Sequence, residues 1–94
     1  MDAVNALPLP ETLDRKATSE LARLLLEQRG LDAVLDAARV TRVGALAVDM
    51  LISARKQWEA DGRTLSIINP SPAFLAGLEA LGAQIGLLQT ETHQ

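Results

Sequence analysis

The chain has 94 residues, 48% hydrophobic and 22% charged, with nine basic against twelve acidic residues and a net charge of −3. That length admits one domain with a two- or three-layer core, not a core plus a deep catalytic cleft, and the apolar content offsets chain entropy well enough to exclude a disordered chain. The negative sign disfavours a whole-domain grip on nucleic acid, Trp58 and Phe74 are too few aromatics for a base-stacking platform, and the lack of cysteine removes disulfides, thiolate metal sites and thiol nucleophiles.

Met1 to Leu9 carries no basic region and no long apolar run, so no secretory signal is expected. No apolar run approaches the roughly 20 residues that span a bilayer. The chain therefore reads as soluble and cytoplasmic, without direct membrane insertion.

Val4 to Leu9 is short and apolar and runs into Pro8 and Pro10, so it predicts at best a short strand. Thr12 is the expected N-cap of a first helix, whose stripe is Leu13, Ala17, Leu21, Leu24 and Leu25. Gly30 ends it. Leu31 to Ala37, with its Ala33-Val34-Leu35 run, predicts a buried strand, and Arg39 to Val43 a loop. Ala45 to Asp61 is helical again, with Ala47, Met50, Leu51, Ala54 and Trp58 on one stripe and Val48 and Ile52 widening it. Its first three turns are apolar nearly all round and are expected to be largely buried. Gly62 closes it.

Thr64 to Asn69 predicts a strand and Asn69-Pro70 a turn. Ser71 and Pro72 form a strong helix start, serine as N-cap and proline at N1. Phe74, Leu75, Leu78 and Leu81 are the expected inner face, and Gly82 stops the helix. Ile85 to Leu88 is expected to be a last strand and residues 89–94 a flexible tail.

This alternation of strands and helices implies an α/β fold: a small, mainly parallel four-stranded sheet covered by three helices. It forms one domain over residues 1–94 with its core at about 4–88. In such a sheet every strand-to-helix loop leaves from the same edge. Pro8 to Thr12, Ala38 to Gly44 and Asn69 to Ser71 should therefore cluster, and that edge is the first candidate for a working face.

Enzymatic chemistry lacks its parts. His93, the only histidine, lies in the polar tail, so zinc sites and Ser-His or Cys-His pairs are not available. Asp32 and Asp36 sit four apart and read as strand-end markers rather than an acid–base pair. Asp49 is the polar exception in an apolar helix and reads as solvent-facing. Gly77 and Gly82 have the spacing of a phosphate loop but lack the following Lys-Ser/Thr, so no nucleotide motif is present. No cofactor is implied. Ser71, Thr41, Thr18 and Ser19 are hydroxyls near expected caps or loops, and local capping is the job that fits them.

Val34 to Leu51 reads VLDAARVTRVGALAVDML. It resembles the central segment of STAS domains, the family of anti-anti-sigma factors and of the cytoplasmic tails of sulfate transporters. The family pattern there is a strand ending in aspartate, a short loop, then Asp-Ser-Ser-Gly or Asp-Ser-Thr-Gly opening an apolar helix. Asp36, Val40, Val43 and Leu51 fall in place without a gap. ARKQWEADGRTLSIINPSPAFLAGLEALG is similar to the family's later helix–strand–turn–helix run, and LPETLDRKATSELARLLL more loosely to its opening. The likeness covers nearly the whole chain. It also implies that this chain is short at its front and lacks the family's first edge strand.

The family's tetrapeptide corresponds to Gly44-Ala45-Leu46-Ala47, and its phosphate-accepting serine aligns with Ala45, which has no oxygen to modify. The resemblance thus implies a non-enzymatic interaction module without the phosphorylation switch. Its docking surface is expected at Arg39, Thr41, Arg42, Gly44, Ala45, Leu46 and Ala47. Gly44 permits close approach, Ala45 to Ala47 offer a small smooth patch, and Arg39 and Arg42 steer an acidic partner. The implied partner is an anti-sigma factor or another histidine-kinase-like regulator of transcription, chemotaxis or other bacterial signalling. The alternative is the ATPase of an ABC transporter that moves phospholipid. A homodimer is also open.

Overall fold

A computed structural model describes residues 6–90 of the chain. The helical and strand periods place five short strands and three helices: β1 (Ala6–Pro8), β2 (Thr12–Leu13), α1 (Arg15–Glu27), β3 (Ala33–Asp36), β4 (Arg42–Val43), α2 (Ala45–Ala60), β5 (Leu65–Ile68) and α3 (Pro72–Ala80), followed by a 3-10 turn at Ile85–Leu87. The strands form a parallel three-stranded sheet in the order β1-β3-β5 and a separate parallel pair, β2-β4. Stepping the same way along the sheet with right-handed crossovers puts α1 and α2 on one face, where they touch each other. Ala33, Leu35, Leu65 and Ile67 are buried, while Val34, Asp36 and Ser66 between them are half-buried and Ile68 is exposed. One face of the sheet thus makes the core, with Leu9, Leu21, Leu25, Leu51, Trp58, Phe74 and Leu78.

The sheet edges are handled differently. Leu9 N–H donates to Asp36 O at 2.9 Å. Alternate residues of a parallel strand face the same neighbour, so Pro8 turns its nitrogen to the open edge, where a missing N–H costs no ladder bond. On β5 the outward-facing groups belong to Leu65 and Ile67. Thr90 and Gln89 cover them: Leu65 N–H donates to Thr90 Oγ1 (3.0 Å), Thr90 N–H to Leu65 O (2.8 Å), and Ile67 N–H to Gln89 Oε1 (2.9 Å).

Several expectations change. The fourth strand of the main sheet, expected at Ile85 to Leu88, is the 3-10 turn. Ile85 is half-buried, Leu87 exposed and Leu88 fully buried. Burial at i and i+3 is the period of a tight helix, and alternation would not produce it. Of the tail, Gln89 and Thr90 are held against β5, and residues 91–94, including His93, lie outside the described residues, as do Val4 and Asn5 of the first expected strand. The loop expected from Arg39 to Val43 contains β4. Its pairing with β2 removes Thr12 from the cap of α1, and Asp14 takes the role, accepting from Ala17 N–H at 2.9 Å. α1 ends at Glu27. Gly30 follows at φ +88° in the turn that leads to β3, where only glycine is unstrained.

α2 starts at Ala45 as expected, but its first turns are not all buried. Ala47 and Leu51 are inside, whereas Leu46 remains 50% exposed and Asp49 faces solvent. In α3, Phe74 and Leu78 point inward, but Leu75 and the C-cap residue Leu81 are exposed. α3 lies on β4 so closely that any Cβ at position 77 would force the helix or Val43 to shift. A Cβ there would stand 2.4 Å from Val43 Cγ1. Asp32 and Asp36 do not form a pair. Each accepts a backbone bond, from Thr64 N–H and Ala38 N–H, both at 3.0 Å.

Candidate functional site

The three loops at the carboxyl ends of the strands meet, as parallel topology requires. The Glu11 carbonyl accepts from Thr41 N–H (2.7 Å), Arg42 N–H (3.1 Å) and Thr41 Oγ1 (3.1 Å). Gly44 N–H donates to Leu13 O at 3.1 Å. From the third loop, Ser71 bonds Ala37 O and Val40 O. The β2-β4 pair, in register Thr12↔Arg42 and Leu13↔Val43, stitches the first loop to the second. Leu13 and Val40 are buried beneath, at 1% exposure each, so the outer residues stand on a packed base.

The start of α2 stands at this edge. Gly44 is the N-cap in extended conformation and offers no side-chain bond to the first turn. A Cβ at Gly44 would meet Leu13 O at 3.2 Å, so the glycine serves the close fit of the two loops. Ala45 and Leu46 are exposed. Ala47 is fully buried, which corrects its place in the expected docking surface: at the third position of the helix its methyl turns into the core. Arg39, Thr41 and Arg42 are exposed, and neither arginine lies in an ion pair among the described residues. The structure therefore brings together Arg39, Thr41, Arg42, Gly44, Ala45 and Leu46.

Two organising features carry no side-chain signal in the sequence. One is the Glu11 carbonyl, a backbone atom that any residue would supply. The other is the β2-β4 pair, whose only trace is an apolar residue in each short segment, Leu13 and Val43. Beside the edge, a groove of about 660 Å3 runs between the β1–β2 segment and α1, lined by Leu7, Pro10, Lys16, Leu21, Leu24 and Arg39 among others.

The chemistry of the rest of the surface lies elsewhere. The Arg29 guanidinium, bonded to Asp61 at 3.1 and 3.2 Å, holds that carboxyl below its ordinary value, with Gln57 assisting. Asp61 caps the far end of α2, seventeen residues or about 25 Å from Gly44. Among the described residues no group of three or more His, Asp or Glu is placed to hold a metal ion, and no helix is long and apolar enough to cross a membrane.

Residues 2–89 match the family described as "Mlab, STAS domain", and the chain belongs to that STAS family. No curated protein and no solved structure matches it. STAS domains generally act as binding modules that mediate protein–protein interactions rather than as enzymes.

Proposed function

We propose that this STAS domain is a non-enzymatic docking module of the bacterial cytoplasm, similar to anti-sigma factor antagonists, that binds a histidine-kinase-like regulator through the start of α2. The observation that carries the reading is the exposed Ala45-Leu46 pair beside half-buried Gly44, flanked by Arg39 and Arg42. A small apolar patch beside two uncommitted cations suits an acidic partner surface, with the charges steering encounter and the patch supplying contact area. Thr41 sits between the arginines on the same rim. With a methyl group at Ala45, docking is set by the partner's state or abundance and not by phosphorylation at this position.

That same methyl group favours a second reading. A chain that cannot be switched at its helix start also suits a permanent subunit, here one that clamps the ATPase of an ABC transporter for phospholipid. The identity of the captured ATPase decides between the two.

The test is Ala45→Glu. Glutamate is well tolerated in the first turn of a helix, where the backbone dipole favours an anion, so the fold should survive as judged by circular dichroism. Affinity purification with mass spectrometry should recover a kinase-like or transporter ATPase with the natural chain and lose it at least tenfold with the variant. Equal recovery would remove the helix start from the interface.

A further inference from the structure

Ser71 joins three parts of the docking edge. Its N–H donates to Ala37 O at 3.2 Å and its hydroxyl donates to Val40 O at 2.6 Å. The same oxygen accepts from Phe74 N–H at 3.0 Å, which makes the residue the N-cap of α3. The cap is local, but the other two bonds reach across to the turn between β3 and β4. Within itself that turn is held at its start by Ala38 N–H to Asp36 Oδ1 at 3.0 Å and further on only by a long bond, Val40 N–H to Ala37 O at 3.4 Å. It leads directly into Thr41 and Arg42, and it carries Arg39.

The backbone is bent to make this contact. Asn69 lies at φ +53°, left-handed, one residue before Pro70. Non-glycine residues seldom adopt that conformation, although asparagine tolerates it best. The bend follows β5 and delivers Ser71 to the turn. Ser71 is half-buried and both functions of its hydroxyl, donor and acceptor, are in use.

We propose that Ser71 is a positioning residue of the docking edge: its hydroxyl latches the β3–β4 turn to the start of α3 and so fixes where Arg39, Thr41 and Arg42 stand. The meaning of the latch for function rests on the docking reading above. Its physical content does not, because the free chain tests it.

The experiment is amide hydrogen exchange, followed residue by residue by NMR, on the full chain and three variants. Ser71→Asp keeps an acceptor for Phe74 N–H, since aspartate caps helices as well as serine does, but it has no proton to give Val40 O at neutral pH. Exchange at Thr41, Arg42 and Gly44 should accelerate about tenfold, the change expected from one hydrogen bond, while the amides of α3 stay within twofold. Ser71→Thr retains the hydroxyl and should keep natural rates at both places. Ser71→Ala removes cap and latch, and both sets of amides should accelerate. The proposal is overturned if Ser71→Asp leaves the loop amides unchanged, if it speeds loop and helix alike, or if Ser71→Thr fails to restore the loop. The Ala45→Glu capture can fail while this pattern holds, and the reverse, so the two readings fall separately.

Discussion

Replacing Gly77 by alanine measures how tightly α3 is set on β4. The added Cβ would lie 2.4 Å from Val43 Cγ1 and 3.7 Å from Val43 Cβ. Carbon atoms rest at about 3.5–4.0 Å, so either the helix retreats by roughly 1 Å or Val43 leaves its rotamer. Val43 is β-branched, half-buried and paired to Leu13, which leaves it little freedom. Overpacking of this kind costs about 1–3 kcal/mol. Against it stands a gain of about 0.8–1 kcal/mol in helix propensity when alanine replaces glycine. The clash should at least match that gain, with a net loss of up to about 2 kcal/mol and a Tm lower by up to roughly 15 °C for a chain of this size. Val43→Ala alone should lose about 1 kcal/mol of partly buried methyl groups. In the double variant Cγ1 is gone and the propensity gain is realised, so the two changes should couple favourably by at least about 1 kcal/mol. Urea unfolding of the four proteins, followed by circular dichroism, gives the cycle. If Gly77→Ala is stabilising by itself, or if the two changes simply add, the close approach of α3 to β4 is refuted.

Thr90→Val removes the acceptor of Leu65 N–H from a fully buried residue while keeping the side chain's shape. A loss of about 1–3 kcal/mol in urea unfolding is expected, and a loss below about 0.5 kcal/mol would mean that the edge does not depend on this hydroxyl. Asp61 has its folded pKa below the ordinary 3.8 because of Arg29. Its carboxylate therefore stabilises the fold above that value, and the contribution fades as pH falls through it towards the folded pKa. The stability gap between the natural chain and Asp61→Asn should be full near neutrality and close below about pH 4. A gap that is constant with pH would show that the Arg29 contact contributes nothing in solution.

Much of the architecture was legible in single residues. Ser71 and Pro72 announced the start of α3 because capping is a local transaction between a hydroxyl and the amide three residues on, and Gly62 and Gly82 marked stops because their left-handed backbones, at φ +71° and +77°, are a property of glycine itself. The clustering of the three loops was also foreseeable, since parallel strands oblige their connections to leave from one edge. The errors share one cause. Thr12 is a good cap by type, yet it belongs to β2, because Arg42 stands thirty residues away to pair with it. Leu75 and Leu81 are as apolar as Leu78, but the helix has one inner face, and its direction is set by Val43 pressing on Gly77. Ala47 looked like the end of an exposed patch, and its methyl is core.

The proposed docking edge divides along the same line. The sequence determined the materials: a glycine where a helix opens, alanine where the STAS resemblance would place a phosphate-accepting serine, and two arginines just upstream. Each is a property of one residue or of a short run, which is why a linear reading reaches it. The tertiary structure alone decided the arrangement. The Glu11 carbonyl gathers the second loop, Ser71 ties that loop to α3, and Gln89 and Thr90 complete the edge of β5 with side chains in place of a strand. These are contacts between segments twenty or more residues apart, made by backbone atoms, shared hydroxyls and the Gln89 side-chain amide. Their partners are chosen by packing, and no spacing along the chain encodes them.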